Sequence, residues 1–320
     1  MPAISATAPG KVILFGEHAV VYGYPAIAVP VTQVRAKAIV LANPLGNTGQ
    51  VEIEAPDIDL HARLSDLPND HPFVVLFSNL ADLLGVKAIP ACQVRITSSI
   101  PVAAGMGSGA AVSVALSRAV SGFLGHPLSD NQVSDLAFQV EKKYHGNPSG
   151  VDNTVITFCQ PIYYVRGQPF ERIRLAQPLT LLIADSGIQS QTSGVVGDVR
   201  AGWQSNPQFF ERLFDKIGQI SVQARHLIEK GVAQEIGALM TANHQALQEL
   251  GVSCFELDRL VEAAINSGAS GAKLSGAGRG GNMIALVQTE DVERISQALQ
   301  IAGAARVITT RLEPASQMEA

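Results

Sequence analysis

Predicted strands and helices fall into separate runs along this chain instead of alternating one by one. Alternating or β-branched apolar segments predict strands, and apolar residues at helical spacing predict helices. The predicted strands are residues 26–41, 93–98, 154–158, 162–165, 179–184, 282–287 and 305–309. The predicted helices are residues 73–84, 108–124, 129–144, 207–230, 233–250, 255–267 and 290–302. Runs of this kind favour an α+β fold over a doubly wound parallel sheet.

Chain length and a change in local character together predict two domains. A chain of 320 residues can bury a substantial core, in one large domain or in two of ordinary size. Strands and helices mix in the first half, and long helices dominate the second half. The change falls near residues 172–178. We therefore predict an N-terminal domain at residues 1–175 and a C-terminal domain at residues 176–320.

Composition argues against several classes of partner and compartment. With a net charge of -5 and 16% charged residues, the chain has no global electrostatic reason to bind nucleic acid or an anionic membrane. Its apolar stretches are shorter than a bilayer span, and its first residues lack the pattern of a secretory signal. The three cysteines form no CxxC pair and predict free thiols in a reducing compartment. A cytoplasmic location is expected.

The strongest local pattern is the glycine-rich segment PVAAGMGSGAA at residues 101–111, between a predicted strand and an apolar helix. Gly105, Gly107 and Gly109 permit close approach of the backbone to a ligand. The first amides of the helix lack internal partners, and with the helix dipole they can bind phosphate. Ser108 could then meet a phosphate or a metal. A flexible turn capped by serine is the simpler alternative, and the Gly-Lys-Ser/Thr of a common P-loop is missing.

A second candidate region runs from Glu141 to Asp152. Ser129 and Gln132 predict a capping box at the start of the helix that contains Glu141. At 100° per residue, Glu141 lies about 80° from the centre of the apolar stripe of that helix. A carboxylate there needs a cation, hydrogen-bond donors or a metal. A Gly/Pro loop then carries Asp152 into a predicted strand, which suits a reactive group. The simpler alternative pairs Glu141 with a neighbouring lysine and makes Asp152 a turn residue.

The segment KLSGAGRGGN at residues 273–282 contains a second cluster of glycines. Gly276, Gly278 and Gly281 have the spacing of the dinucleotide fingerprint. A Rossmann site is excluded because the following residues predict a strand, whereas the fingerprint opens a helix. The segment is then a loop that approaches a ligand closely, or a simple β-turn, with Arg279 at its tip.

Three ionisable residues interrupt the apolar, glycine-rich stretch PGKVILFGEHAVVYG near the N-terminus: Lys11, Glu17 and His18. A lysine directly after Pro-Gly could face a phosphate, although surface exposure is the commoner outcome. His18 fits a hydrogen-bonded structural histidine equally well.

Together, APGKVILFGEHAVVYG, PVAAGMGSGAA and KLSGAGRGG resemble, in this order, the motifs of one family of small-molecule kinases. That family includes galactokinase, homoserine kinase, mevalonate kinase and phosphomevalonate kinase, and the similarity covers most of the chain. EKKYHGNPSGVDN at residues 141–153 and NHQALQELGVS at residues 243–253 resemble the mevalonate-phosphorylating branch. The resemblance implies an ATP-dependent kinase that converts mevalonate to 5-phosphomevalonate. It also implies a two-domain α+β fold with the active site in the cleft between the domains.

The resemblance further implies roles for individual residues. Asp152 would act as the general base or orient the attacking hydroxyl, with Lys11 near it and near the transferred phosphoryl group. Mg²⁺ would be bound by Glu141 and Ser108. ATP would be bound by Pro101, Ala104, Gly105, Met106, Gly107, Ser108, Gly109 and Ala110. The mevalonate pocket would be bordered by Glu17, His18 and Thr192, and the reacting centre would be covered by Gly276, Ala277 and Gly278. These roles meet the needs of phosphoryl transfer, which are in-line positioning and charge neutralisation.

Two positions depart from the family pattern. Gly109 replaces the second serine of a Gly-Ser-Ser sequence, whose hydroxyl commonly meets Mg²⁺, so that Ser108 or a water would have to substitute. Arg279 replaces a glycine, and it either contacts phosphate or points outward.

Two other functions compete with mevalonate phosphorylation. One is phosphomevalonate kinase, against which residues 141–153 argue. The other is a non-catalytic relative that senses its ligands, against which Lys11, Glu141 and Asp152 argue, because binding alone needs no base. A homodimer is expected only by analogy with the family.

Overall fold

The structure is a computed structural model that describes residues 3–101, 105–145, 148–190 and 192–314. Ala104, one of the predicted ATP ligands, lies outside the described residues. The strands are β1 (Ile4–Phe15), β2 (Ala26–Ala42), β3 (Val51–Ala55), β4 (Leu60–Arg63), β5 (Cys92–Ser98), β6 (Ile162–Tyr164), β7 (Glu171–Arg172), β8 (Leu179–Asp185), β9 (Gly271–Ser275), β10 (Asn282–Val287) and β11 (Arg306–Leu312). The α-helices are α1 (Pro72–Leu84), α2 (Ser108–Phe123), α3 (Asp130–His145), α4 (Val151–Phe158), α5 (Thr192–Ser205), α6 (Pro207–Lys230), α7 (Ala233–Glu249), α8 (Phe255–Asn266) and α9 (Val292–Ile301). Short 3-10 helices lie at Ala19–Tyr22, Pro56–Ile58, Leu64–Asp66 and Thr289–Asp291.

Most predicted elements lie within a few residues of their observed positions, and the α+β class is confirmed. The predicted capping box is also present at the start of α3. The backbone N–H of Ser129 donates to Oε1 of Gln132 at 3.0 Å, and the N–H of Gln132 donates back to Oγ of Ser129 at 3.4 Å. The side chains of Ser129 and Gln132 therefore satisfy each other's backbone N–H groups in the first turn of the helix.

The strand predicted at residues 154–158 is wrong, because these residues belong to α4. Gly150 precedes the helix with a φ of 90°, and the Thr154 hydroxyl donates to its carbonyl oxygen at 2.7 Å. The Asn153 amide donates to Oγ of Ser134 on α3 at 2.9 Å. Packing on neighbouring helices thus overrides the β preference of the branched residues. Consequently Asp152 lies in the first turn of a helix and not at the start of a strand.

The chain forms two compact units, and the first contains residues up to Gly10, Val34–Pro101 and Gly107–Cys159. Its sheet has the order β4, β3, β5 and the second half of β2. The β3–β5 pair is parallel, and the other pairs are antiparallel. Helices α1 to α4 pack on one another, and α2 also contacts β5. Because of this packing, the first residues of α2 and α4 and the last residues of α3 belong to the same layer of helices.

The second unit contains Lys11–Gln33, a short segment ending at Met106, and the chain from Gln160 onwards. Its main sheet is antiparallel, with the order β11, β8, β10, β9. Every residue of β9 and β10 is buried, and α7 and α8 pack on β9. The first residues of β2 pair with β6, which pairs with β7. A polar residue in β9 must therefore find its partner inside the protein.

Two further predictions concern the chain as a whole. The division at residues 175 and 176 stays a prediction. Within the described ranges, no helix has both the length and the apolar character required to cross a membrane.

Candidate active site

The glycine-rich segment leads into α2, as predicted. Gly107 precedes the helix in the left-handed region with a φ of 72°, which favours glycine, and no described side chain caps the helix. The first helical bond runs from the N–H of Ala111 to the carbonyl of Gly107 at 2.9 Å. The N–H groups of Ser108, Gly109 and Ala110 therefore have no partner within the helix. Such a helix start favours an anion, and phosphate in particular.

Glu141 on α3 lies directly beside the first turn of α2. A Cβ atom added at Gly109 would stand 3.3 Å from Oε1 of Glu141, closer than an ordinary van der Waals contact. Glycine at 109 thus leaves room for the carboxylate, which is only partly exposed. Glu141 and Ser108 supply a carboxylate and a hydroxyl, the hard oxygen donors that Mg²⁺ prefers. One or two such ligands are enough when the phosphates of a nucleotide supply the others.

Asp152 is half-buried in the first turn of α4. Helix α4 packs on α2 and α3, which carry Ser108 and Glu141. The three predicted polar residues of the first unit are therefore carried by three helices in mutual contact.

The second unit joins the N-terminal lysine to both glycine-rich loops. The backbone N–H of Lys11 donates to the carbonyl of Met106 at 3.0 Å, and Lys11 is only 4% exposed. A Cβ atom added at Gly276 would lie 3.8 Å from the carbonyl oxygen of Gly105. Segments that are distant in sequence, and that were predicted to bind ATP or cover the phosphate, thus meet at this point.

The turn that contains Glu17 and His18 depends on a glycine. Gly16 has a φ of 96°, and a Cβ there would lie 2.5 Å from Cα of Ala26. His18 also has a positive φ, of 60°, and is buried. Its Nε2 lies 2.8 Å from the carbonyl oxygen of Ala277 in the loop after β9. Because a carbonyl only accepts, Nε2 carries the proton and Nδ1 is left as an acceptor.

Burial sets the charge of His18. Loss of hydration, helped by the positive charge of Arg279, lowers the pKa of its imidazole to about 4, against the hydrogen bond to Ala277. His18 is therefore neutral at pH 7. Neutral imidazole can accept a hydrogen bond from a hydroxyl, as a substrate-binding residue would.

Glu17 forms an ion pair with Lys273 of β9, and both side chains are fully buried. The Lys273 ammonium also donates to the carbonyl of Leu274 at 2.6 Å. Burial raises the pKa of Glu17 and lowers that of Lys273, while their mutual attraction opposes both shifts. Oε2 of Glu17 has no hydrogen-bond partner among the described residues. Lys273 thus fixes the carboxylate and leaves one oxygen as a spare acceptor.

Ser275 makes a second connection between β9 and the N-terminal strand. Its hydroxyl donates to the carbonyl of Ile13 at 2.9 Å and accepts from the N–H of the same residue at 3.0 Å. With the Glu17–Lys273 pair and the His18–Ala277 bond, this contact fixes residues 13–18 against residues 273–277. Thr192, the remaining predicted substrate residue, is exposed at the start of α5.

Comparison with known proteins identifies the family. Residues 73–160 match the model of the GHMP kinases N terminal domain, and residues 224–305 match that of the GHMP kinases C terminal domain. The chain belongs to the GHMP kinase family. The family resemblance inferred from the three motifs is thereby confirmed, and so is the prediction of an ATP-dependent kinase that acts on an alcohol.

Full-length relatives of this GHMP kinase have been described. Mevalonate kinase of Pyrococcus horikoshii is 36% identical over 96% of this chain and 95% of its own length. The crystal structure of L. major mevalonate kinase in complex with R-mevalonate is 34% identical, with a TM-score of 0.83 over 98% of this chain and 96% of that one. Streptococcus pneumoniae phosphomevalonate kinase has the same TM-score over 97% of this chain and 100% of that one, but is 16% identical and shares only the fold.

Sequence reasoning missed several residues that build the site of this GHMP kinase. Lys273 and Ser275 belong to the segment KLSGAGRGGN, but the sequence pattern assigns a role to neither of them. His244 on α7 accepts from the backbone N–H of Leu274 at 3.3 Å and so supports β9 from the other side. The available signal in the sequence was a lysine within a segment of small and apolar residues, because an ammonium that such a segment buries requires a carboxylate.

Proposed function

We propose that this GHMP kinase transfers the γ-phosphoryl group of ATP to the primary hydroxyl of mevalonate, giving 5-phosphomevalonate and ADP. This reaction would be a step of isoprenoid precursor synthesis. The observation that carries the proposal is similarity to mevalonate kinases along nearly the whole chain, including a relative bound to R-mevalonate. The local geometry supports it, since the glycine loops, a buried lysine and a neutral histidine meet in one unit.

In this proposal ATP is held by the backbone around the start of α2. The N–H groups of Ser108, Gly109 and Ala110, which have no partner within the helix, donate to phosphate oxygens, and the left-handed Gly107 orients them. Pro101, Gly105 and Met106 belong to the same glycine-rich segment and would also contact ATP. The proposal extends to Ala104, outside the described residues. Backbone donors suit a phosphate because they are fixed before the ligand arrives.

Glu141 and Ser108 would hold Mg²⁺ in this proposal. When bound, the ion would supply positive charge that offsets the charge of the phosphates. Glu141 fits this role because its carboxylate borders the phosphate-binding turn, where glycine at 109 leaves room for it. Ser108 contributes a neutral oxygen, so most of the positive charge is left for the phosphates.

Asp152 orients the hydroxyl of mevalonate and accepts its proton as the new bond forms. The hydroxyl oxygen attacks the γ-phosphorus, the bond from that phosphorus to the bridging oxygen breaks, and ADP leaves with the bond's electrons. Lys11, held by its backbone contact with Met106, neutralises charge on the transferred group. A lysine with 4% exposure carries a weakly solvated charge, which strengthens its interaction with a phosphoryl oxygen.

Mevalonate is bound by Glu17, His18 and Thr192, all in the second unit. The free Oε2 of Glu17 and Nδ1 of His18 are acceptors for substrate hydroxyls. Thr192 adds an exposed hydroxyl. The loop of Gly276, Ala277 and Gly278 covers the reacting phosphoryl group from its position beside Gly105.

The proposal also includes the domains, the cellular location and the partners of the enzyme. Residues 1–175 would form the ATP-binding domain and residues 176–320 the C-terminal domain. A cytoplasmic location is consistent with the free thiols of Cys92, Cys159 and Cys254. The partners would be ATP and mevalonate, without nucleic acid or membrane, and a homodimer stays an expectation by family analogy.

Two measurements test the proposal. ADP release is followed with mevalonate, phosphomevalonate, homoserine and galactose as acceptors, and we expect turnover with mevalonate alone. Turnover only with phosphomevalonate would replace the acceptor, and folded protein without turnover would indicate a ligand sensor. Asp152→Asn should retain ATP binding and lose about 10²-fold or more in kcat, the range expected for a positioned acid or base. A kcat near that of the wild type would remove Asp152 from the mechanism.

A further inference from the structure

Arg279 occupies an unusual backbone conformation at the tip of the loop between β9 and β10. Its φ is 53°, in the left-handed region that favours glycine. The glycines beside it, Gly278 and Gly280, also have positive φ, of 82° and 133°. An arginine here introduces backbone strain that a glycine would avoid.

Arg279 connects the loop to two other elements. Its backbone N–H donates to the carbonyl of Val252 at 2.7 Å, and its Nε donates to the carbonyl of Gly251 at 3.2 Å, both in the turn between α7 and α8. Its guanidinium also forms an ion pair with Asp198 on α5. The side chains of the pair are 43% and 64% exposed, so salt can screen their attraction. The guanidinium therefore faces α5 and the turn instead of pointing freely outward.

The segment that leads into α5 contacts the same loop. The Ser190 hydroxyl donates to the carbonyl of Gly278 at 2.5 Å, and the N–H of Gly281 donates to the carbonyl of Ile188 at 2.8 Å. A Cβ atom added at Gly280 would lie 2.6 Å from the carbonyl oxygen of Ile188, so the two backbones are in close contact. Helix α5 is thus attached to the loop at its entrance by one side-chain and one backbone hydrogen bond, and along its length by the Arg279–Asp198 pair.

The loop contacts one residue assigned above to the substrate, and α5 carries another. Ala277 accepts the hydrogen bond from His18, and α5 begins at Thr192. We propose that Arg279 is a positioning residue that holds α5, and with it Thr192, against the β9–β10 loop, and so sets the affinity for the alcohol acceptor. This inference rests on the proposed function. The contact is too exposed to contribute much to folding, and its effect lies in the relative placement of two substrate-binding segments.

Two variants remove the contact in different ways. Arg279→Gly deletes the side chain and also relieves the positive-φ strain, so it should unfold at the same urea concentration as the wild type or at a higher one. Asp198→Asn keeps the backbone unchanged and removes only the charge. Lys216→Met is the matched control, because Lys216 and Glu249 form another exposed pair at 3.1 Å between α6 and α7.

The kinetic measurement is ADP release at saturating ATP with varied mevalonate. For both loop variants we expect KM for mevalonate to rise about three- to fivefold, the range of an exposed ion pair, with kcat changed less than about twofold. Salt at about 500 mM should raise the KM of the wild type and leave that of the variants nearly unchanged. An unchanged KM in both variants, or an equal rise in Lys216→Met, would overturn the role of Arg279.

A second measurement does not depend on activity. Amide hydrogen exchange in residues 192–205 should be faster in Arg279→Gly and Asp198→Asn than in the wild type, and unchanged in Lys216→Met. Wild-type protein that turns over no mevalonate would refute the proposed function, and the exchange rates would still decide whether Arg279 holds α5. Equal exchange in wild type and both variants would refute the inference whatever the acceptor.

Discussion

The buried ion pair between Glu17 and Lys273 gives the sharpest prediction about stability. Both side chains are fully buried, so Lys273→Met leaves a carboxylate in the interior without its counter-ion. Breaking a buried pair by removing one partner costs about 3–5 kcal/mol, and methionine fills much of the same volume. The total stability of a protein is about 5–15 kcal/mol, so the variant should fold but unfold much more readily.

Urea unfolding is the assay, followed by the fluorescence of Trp203, the single tryptophan of the chain. Trp203 reports on the second unit, because its ring lies 5.2 Å from that of Tyr22 and both rings pack against the core of that unit. The double variant Glu17→Gln/Lys273→Met removes both charges. It should lose less stability than Lys273→Met alone, since no charge stays buried without a partner. The exposed Lys216–Glu249 pair provides the control, where Lys216→Met should cost about 1 kcal/mol or less.

The dependence of stability on pH gives an independent check that the unpaired charge of Glu17 destabilises Lys273→Met. Burial raises the pKa of Glu17 above its usual 4.5, and without Lys273 only a backbone hydrogen bond and the more weakly acting charge of Lys11 oppose that shift. The folded variant then binds more protons than the unfolded chain, so its stability must fall as pH rises above 4.5. Lys273→Met should therefore lose less stability relative to the wild type at pH 5 than at pH 8. A deficit below about 1 kcal/mol at pH 8, equal to that of Lys216→Met, would refute the reasoning.

Two further predictions concern the helix start and the buried histidine. Gly109→Ala should stabilise α2 by up to about 1 kcal/mol through helix propensity. It should also raise the Mg²⁺ concentration needed for half-maximal activity, because its Cβ displaces Glu141. Glu141→Gln is the reference variant, and an unchanged Mg²⁺ dependence of Gly109→Ala would contradict this prediction. His18 has its pKa lowered to about 4 from the usual 6.5, so the unfolded chain binds more protons between these values. Stability should fall by up to about 3 kcal/mol as pH drops from 6.5 to 4, and His18→Asn should reduce that slope in acid unfolding; an equal slope would contradict it.

Long amphipathic helices were predictable because their spacing is a local property. The bounds predicted for α6, residues 207–230, are those observed, and α7 and α8 differ only at their ends. Each of these helices buries one apolar face, so a periodicity of 3.6 residues is visible in the sequence alone. No knowledge of the partner is needed to recognise such a face.

Elements without a one-sided pattern were missed. β1 contains Pro9 and Gly10, which argue against a strand, and its last eight residues are all buried. α5 contains three glycines, which lower helix propensity; a Cβ at Gly202 would clash with the ring of Phe210 at 2.4 Å. Contacts made elsewhere in the fold stabilise both elements against their local preferences.

The motifs pointed to the chemistry, and the tertiary structure decided the partners. The sequence by itself determined the α+β class, the glycine-rich helix start and the set of polar residues suited to phosphoryl transfer. Only the fold paired Glu17 with Lys273, His18 with Ala277 and Arg279 with Asp198. The physical reason is that backbone freedom and periodicity are properties of neighbouring residues. The partner of a buried or strained polar group is selected by the packing of segments that lie far apart in the chain.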